Sequence, residues 1–176
     1  WEVARRLIHT SGDISLPADL YLPEEAIMRG IEALRHGCSV LTDTRMALSG
    51  IPLRRLSPLN CSAHCLLDLP GVEEQSRKLG ITRSRAAILL AGERLSGSII
   101  AIGNAPTALL TLLELLDEGL PEPALIIGMP VGFVNAAESK ELLLQSGRTC
   151  LSLRGRRGGS PLVASVVNAL ALIAGR

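Results

Sequence analysis

The sequence predicts a three-layer α/β/α fold with a mostly parallel sheet of about five strands. Three observations carry that prediction. Short apolar runs alternate with longer segments of helical periodicity, the beat that builds a parallel sheet covered on both sides. Apolar residues make up 47% of the chain but aromatics only 2% (Trp1, Tyr21 and Phe133), so the layers must pack through Leu, Ile, Val and Ala. The unusual polar sequences fall just after strands, where parallel sheets bind ligands.

The elements follow in order. Val3, Leu7 and Ile8 among charged neighbours mark residues 1–9 as the end of a helix. A polar, Pro-containing stretch runs to Pro23. The segment 24–36 reads as a helix, with acids in its first turn and Gly37 as a stop. Residues 39–43 (SVLTD) read as a short buried strand, 44–49 as a helical turn or two closed by Gly50, and 51–58 as a loop. A strand is expected over 61–67, then helices over 72–79 and 83–94, the latter with Thr82 as N-cap. Strand 98–102 ends at Gly103, and helix 106–118 opens with Pro106. Strand 124–127, helix 135–145, strand 149–153 and helix 160–174 complete the pattern.

Composition excludes several classes. A net charge of +1 offers no global attraction to nucleic acid or anionic membrane, and the lack of aromatics removes the platforms that stack unpaired bases. No apolar run is long enough to span a bilayer. Cys38, Cys61, Cys65 and Cys150 read as free thiols of a reducing cytosol, which predicts a cytoplasmic protein. Cys61, His64 and Cys65 suggest a metal site. On a strand, however, the two cysteines sit about 13 Å apart, at ~3.3 Å per residue, with His64 pointing the other way. No metal is expected.

Three strand-to-helix junctions look chemical. Thr42 and Thr44 flank Asp43 after the first strand and are better donors to a carboxylate than Asp43 is. Gly103, Asn104 and Thr107 follow a later strand. GNAPTAL lacks the later glycines of a dinucleotide fingerprint, and no P-loop pattern occurs. The junction Arg154-Gly155-Arg156-Arg157-Gly158-Gly159-Ser160 leads into the last helix. Its arginines suit carboxylate or phosphate, its glycines allow close backbone approach, and a helix N-terminus favours anions. It reads either as an anion cradle or as a flexible basic loop. Of the three histidines, His36 sits at a helix end and His64 in a strand. His9 lies one helical turn from Arg6, which would place a fixed cation beside an imidazole.

The order of segments is more specific than any one of them. RRLIHTSGD, VLTDTRMALSGI, GITRSRAA, IAIGNAPTALLTLLELL, PALIIGMPVGFVNAAESKELL and LRGRRGGS together resemble the precorrin-8X methylmutase family from about residue 2 to residue 172. The resemblance implies one domain over 1–176, with the family's further amino-terminal segment absent. It implies a cofactor-free isomerase that moves a methyl group from C11 to C12 of precorrin-8 or cobalt-precorrin-8 in cobalamin biosynthesis. It also implies His9 as general acid, assisting a shift of the 1,5-sigmatropic type. The substrate would be a corrin precursor rimmed with carboxylates, met by Arg6, Ser11, Thr42, Thr44, Arg83, Gly103, Asn104, Thr107, Arg154, Arg156, Arg157, Gly158, Gly159 and Ser160. A homodimer is implied, with sites near the subunit boundary. IHTSGD is nearer the pattern of the cobalt-containing branch. Two alternatives stand beside this reading: a non-catalytic tetrapyrrole carrier, and an α/β protein that binds a phosphometabolite.

Overall fold

The computed structural model describes residues 1–176. Six strands form one sheet: β1 (Leu20–Tyr21), β2 (Ser39–Thr42), β3 (Ser62–Cys65), β4 (Ile99–Ile102), β5 (Leu125–Gly128) and β6 (Cys150–Leu153). Their spatial order is β1-β6-β5-β4-β2-β3, and every pairing is parallel except β1 with β6. The helices are α1 (Glu2–Ser11), α2 (Glu24–Arg35), α3 (Arg45–Ser49), α4 (Leu53–Leu56), α5 (Val72–Leu79), α6 (Arg83–Ala91), α7 (Pro106–Asp117), α8 (Ala136–Gln145) and α9 (Ser160–Ala174).

Each strand feeds two cores, because successive side chains leave opposite faces. Ile99 and Ala101 of β4 pack with α1, α2 and α9, whereas Ile100 and Ile102 pack with α5 through α8. That alternation produces the three layers. In α9, residues 162–167 are buried without a break, so this helix is enclosed on every side. No helix is long and apolar enough to cross a membrane.

The structure departs from the expected elements in four places. The sheet has six strands rather than about five. The extra one, β1, is two residues in a stretch read as irregular, too short to show an alternating pattern, and its pairing of Leu20 with Leu153 is tertiary. The expected loop 51–58 contains α4 and a following 3-10 turn, Ser57–Leu59, started by Pro52 in an extended conformation. The strand expected over 61–67 covers only Ser62–Cys65 before a 3-10 turn begins at Leu66. The helix from Arg83 stops at Ala91, where Gly92 turns to φ 49°.

The chain steps from β2 out to β3, then returns to place β4 on the other side of β2. The switch point therefore lies between the carboxyl ends of β2 and β4. Asp43 spans it. One of its carboxylate oxygens accepts from Gly103 N at 3.0 Å, and the other from Asn104 N at 2.7 Å and Ala105 N at 2.9 Å. Burial raises the Asp43 carboxyl above its ordinary value, against the opposing pull of the three amides. The turn so held packs directly on the last helix: a Cβ on Gly103 would lie 2.8 Å from Ser160 Cα. Replacing Asp43 with Ala strands three amides, each costing ~1–3 kcal/mol when buried and unpaired. Urea unfolding is expected to show a loss of about 3 kcal/mol or more, with an unchanged m value.

Candidate active site

Helix α1 lies antiparallel on α9. At one end Arg176 approaches Glu2 at 3.9 Å, and at the other Thr10 Oγ1 donates to Ser165 Oγ at 2.9 Å. Val3 and Leu7 anchor the helix, with 2% and 0% of their surface exposed. His9 is thereby carried to the end of the molecule where the strands finish and α9 begins. Gly12, at φ 65°, caps α1 with its N–H donating to Ile8 O at 2.8 Å.

Arg6 and His9 line one cavity of about 590 Å³ with Arg5 and Ile8. His9 is exposed, while Arg6 Nε is buried with no hydrogen-bond partner. Its nearest carboxylate, on Glu2, is 3.9 Å away, too far for a hydrogen bond. A second cavity, of about 380 Å³, opens on the other side of the helix end, between Ser11, Asp13, Val131, Arg157 and Pro161.

The arginine-glycine junction is a packed strap rather than an open cradle. A Cβ on Gly158 would lie 2.2 Å from Met129 O, and Gly159 N donates to the same carbonyl at 2.9 Å. Gly159 takes φ 127°, outside the range of other residues. Ser160 is buried, its hydroxyl 2.8 Å from that of Thr44. The glycines therefore serve backbone-on-backbone packing of β5 against the start of α9. Arg157 is engaged within the chain: its guanidinium grips Asp13 and Asp19 and donates to Ser15 Oγ at 3.1 Å. Arg154 and Arg156 remain exposed, the first 3.4 Å from Glu141 and the second 5.6 Å over the Phe133 ring.

Several of the expected donors belong to the frame beneath the site. Thr42 has no exposed surface, and its hydroxyl donates to Thr44 O at 3.0 Å. Thr44 caps α3, accepting from Ala47 N at 3.1 Å. Gly103 is enclosed by Asp43 and Ser160, while Asn104 is exposed at the tip of the same turn. Thr107 accepts from Thr82 Oγ1 at 3.3 Å at the start of α7. Arg83 lies beside α5, 3.7 Å from Glu73. Elsewhere, His64 is exposed beside the buried Cys65, and no three His, Cys, Asp or Glu side chains converge at metal-ligand spacing.

Sequence reasoning missed Lys140. Its side chain is completely buried, and Nζ donates to Arg157 O at 2.6 Å. Burial lowers this ammonium to about 8, against a weaker upward pull from Asp19. The available signal was Ala136 and Ser139, small residues on the same buried face of α8 as Lys140. Asp13 and Asp19 were equally silent, since nothing local ties them to a residue 144 or 138 positions away.

A three-layer fold that sets a histidine and a half-buried arginine, its Nε without a hydrogen-bond partner, in one cavity defines an α/β protein with a cationic candidate active site. A profile described as precorrin-8X methylmutase matches residues 1–173. The precorrin-8X methylmutase of Pseudomonas aeruginosa is 46% identical over 172 residues, 97% of this chain and 82% of that protein. The cobalt-precorrin-8 methylmutase of Salmonella typhimurium is 41% identical, over 96% of this chain and 79% of that one. A crystal structure of precorrin-8X methylmutase from Thermus thermophilus superposes with a TM-score of 0.91 at 36% identity, covering 99% of this chain and 86% of that one. The chain belongs to the precorrin-8X methylmutase family, isomerases of cobalamin biosynthesis that shift a methyl group within one molecule.

Two measurements check this geometry. Gly158→Ala places a methyl against a carbonyl that has no room to move, so Tm should fall by several degrees, as overpacking costing ~1–3 kcal/mol requires. For Lys140, the folded state loses its proton first, so between about pH 8 and the ordinary 10.5 the unfolded chain holds more protons. Stability from this group therefore rises with pH across that window. Relative to Lys140→Met, the wild-type protein should gain about 3 kcal/mol in urea unfolding from pH 8 to 10.5.

Proposed function

We propose that this chain moves a methyl group from C11 to C12 of precorrin-8 or cobalt-precorrin-8, giving hydrogenobyrinic acid or its cobalt counterpart, with His9 as general acid. The observation that carries this reading is the cavity lined by both His9 and Arg6, with the imidazole exposed and the guanidinium partly so, its buried Nε making no hydrogen bond in the chain. A macrocycle carboxylate bonded to Arg6 would bring the conjugated ring against the exposed imidazole. Proton donation makes the ring electron-poor, the methyl leaves C11 as it bonds to C12, and the imidazole recovers its proton afterwards. Arg154, Arg156, Asn104 and Ser11 are exposed at the same end and suit other carboxylates of the rim. Thr42, Thr44, Gly103, Thr107, Arg157, Gly158, Gly159 and Ser160 act here by shaping the frame, and Arg83 stands at its margin.

The functional unit is a homodimer with the site near the boundary between subunits, in the cytoplasm. Its support is an apolar surface at the site's end: Ile14 is 89% exposed, Phe133 84% and Val134 76%. Val131 lines the second cavity, and Phe133 lies under Arg156, so this surface is continuous with the site. Relatives of both branch names match the chain, so the lean toward the cobalt-containing substrate rests on IHTSGD alone.

His9→Ala separates catalysis from carriage. Turnover is expected to fall about a hundredfold or more, the usual worth of a general acid, while the visible spectrum still shifts on binding hydrogenobyrinic acid. Wild-type rates in the variant would remove His9 from the mechanism. Thermal stabilisation by ATP, with no spectral response to hydrogenobyrinic acid, would instead favour a phosphometabolite protein.

A further inference from the structure

The mechanism makes no use of the most deeply buried cation in the molecule. Lys140, on α8, lies on the α5–α8 side of the sheet, whereas His9 ends a helix on the other side. A primary ammonium with no exposed surface and a single hydrogen-bond acceptor is costly to keep. Methionine would fill the same volume without that cost, so the charge calls for a role.

The contacts connect it to the site. Lys140 Nζ donates to the carbonyl of Arg157 at 2.6 Å. The Arg157 side chain leaves the same residue in the other direction and grips Asp13 and Asp19. Asp13 belongs to the turn that ends α1: its N–H donates to Ser11 Oγ at 3.1 Å, and its carboxylate accepts from Ser15 N at 2.8 Å. Asp19 begins the return to β1, and its carbonyl accepts from Arg154 N at 2.8 Å. A peg beneath the strap thus fixes the one residue whose fork holds both ends of segment 13–19. The strap itself has no freedom to compensate, since Gly158 is wedged on Met129 O.

We propose that Lys140 is a positioning residue for the isomerisation: from the opposite side of the sheet it pins Arg157, and through the Asp13–Arg157–Asp19 bridge sets where the end of α1, and with it His9, stands. The ammonium touches neither substrate nor the reacting atoms. Its effect belongs to kcat rather than to product binding, because the carboxylate-binding Arg6 sits a turn earlier on a helix anchored by Val3 and Leu7. The catalytic part of this proposal rests on the His9 reading; the mechanical part does not.

Hydrogen exchange and steady-state kinetics on Lys140→Met test the two parts separately. Amides of residues 9–16 are expected to exchange about tenfold faster than in wild type, with β4 and α7 unchanged. The kcat should fall about tenfold while the affinity for hydrogenobyrinic acid stays within about twofold. Arg157→Gln should reproduce the same local exchange, and combining it with Lys140→Met should add nothing further, as members of one chain of contacts do. Lys140→Leu, which fills the space without a donor, reads the same segment should the methionine variant fail to fold. Wild-type exchange at 9–16 in the folded Lys140 variants overturns the proposal. Faster exchange with unchanged kcat leaves the mechanical coupling standing and overturns the catalytic part of the proposal, while the role of His9 itself is read from His9→Ala.

Discussion

The structure hangs on one buried carboxylate. Asp43 joins the end of β2 to the turn after β4 through three amides, across the point where the sheet reverses its order. An ionised acid is expensive in an apolar interior unless its oxygens are bonded, and here they are met by backbone rather than by a mobile side chain. The consequence is geometric. Gly103 is held hard against Ser160, Ser160 meets Thr44, and Gly159 donates to Met129 at the end of β5. The amino end of α9 is thereby fixed against three strands at once, and α9 is the surface on which α1 and its histidine lie.

That arrangement changes what the polar junctions are for. Glycine and arginine at a helix start suit an anion, but the same residues also permit backbone-to-backbone contact and internal ion pairing. In this fold the glycines of the last junction close the packing, and Arg157 is committed to two aspartates. Such bridges are worth little in isolation at a surface; this one matters because it ties a turn to a rigid strap. The cationic charge at this end that the packing does not consume belongs to Arg154 and Arg156, which stay exposed, and to Arg6, whose Nε has no hydrogen-bond partner.

The legible part of the sequence was the part written in local patterns. Helical patterning marked α7 (Pro106–Asp117), with its proline start, and α9 (Ser160–Ala174) closely. The strands of the central sheet were readable as short aliphatic runs ending at Gly103 or at polar residues. Adjacency of Arg6 and His9 followed from helical spacing alone. The illegible part depends on partners distant in the chain. β1 exists only by pairing with β6, the Asp43 clamp reaches 60 residues ahead, and Lys140 looked like an ordinary surface lysine amid Glu138 and Glu141. Periodicity assigns a residue to a face; it does not say which backbone carbonyl will be waiting there. The family resemblance supplied chemistry that neither kind of pattern contains.

The central claim is that the macrocycle is held at the end of α1, between His9 and Arg6. A crystal structure of the protein with hydrogenobyrinic acid bound tests it most directly. The account predicts a rim carboxylate accepting from the Arg6 guanidinium and ring C facing the His9 imidazole. A ring seated elsewhere, such as the cavity beside the edge strand β3 lined by Leu41, His64 and Arg94, with Arg6 and His9 facing solvent, would contradict it.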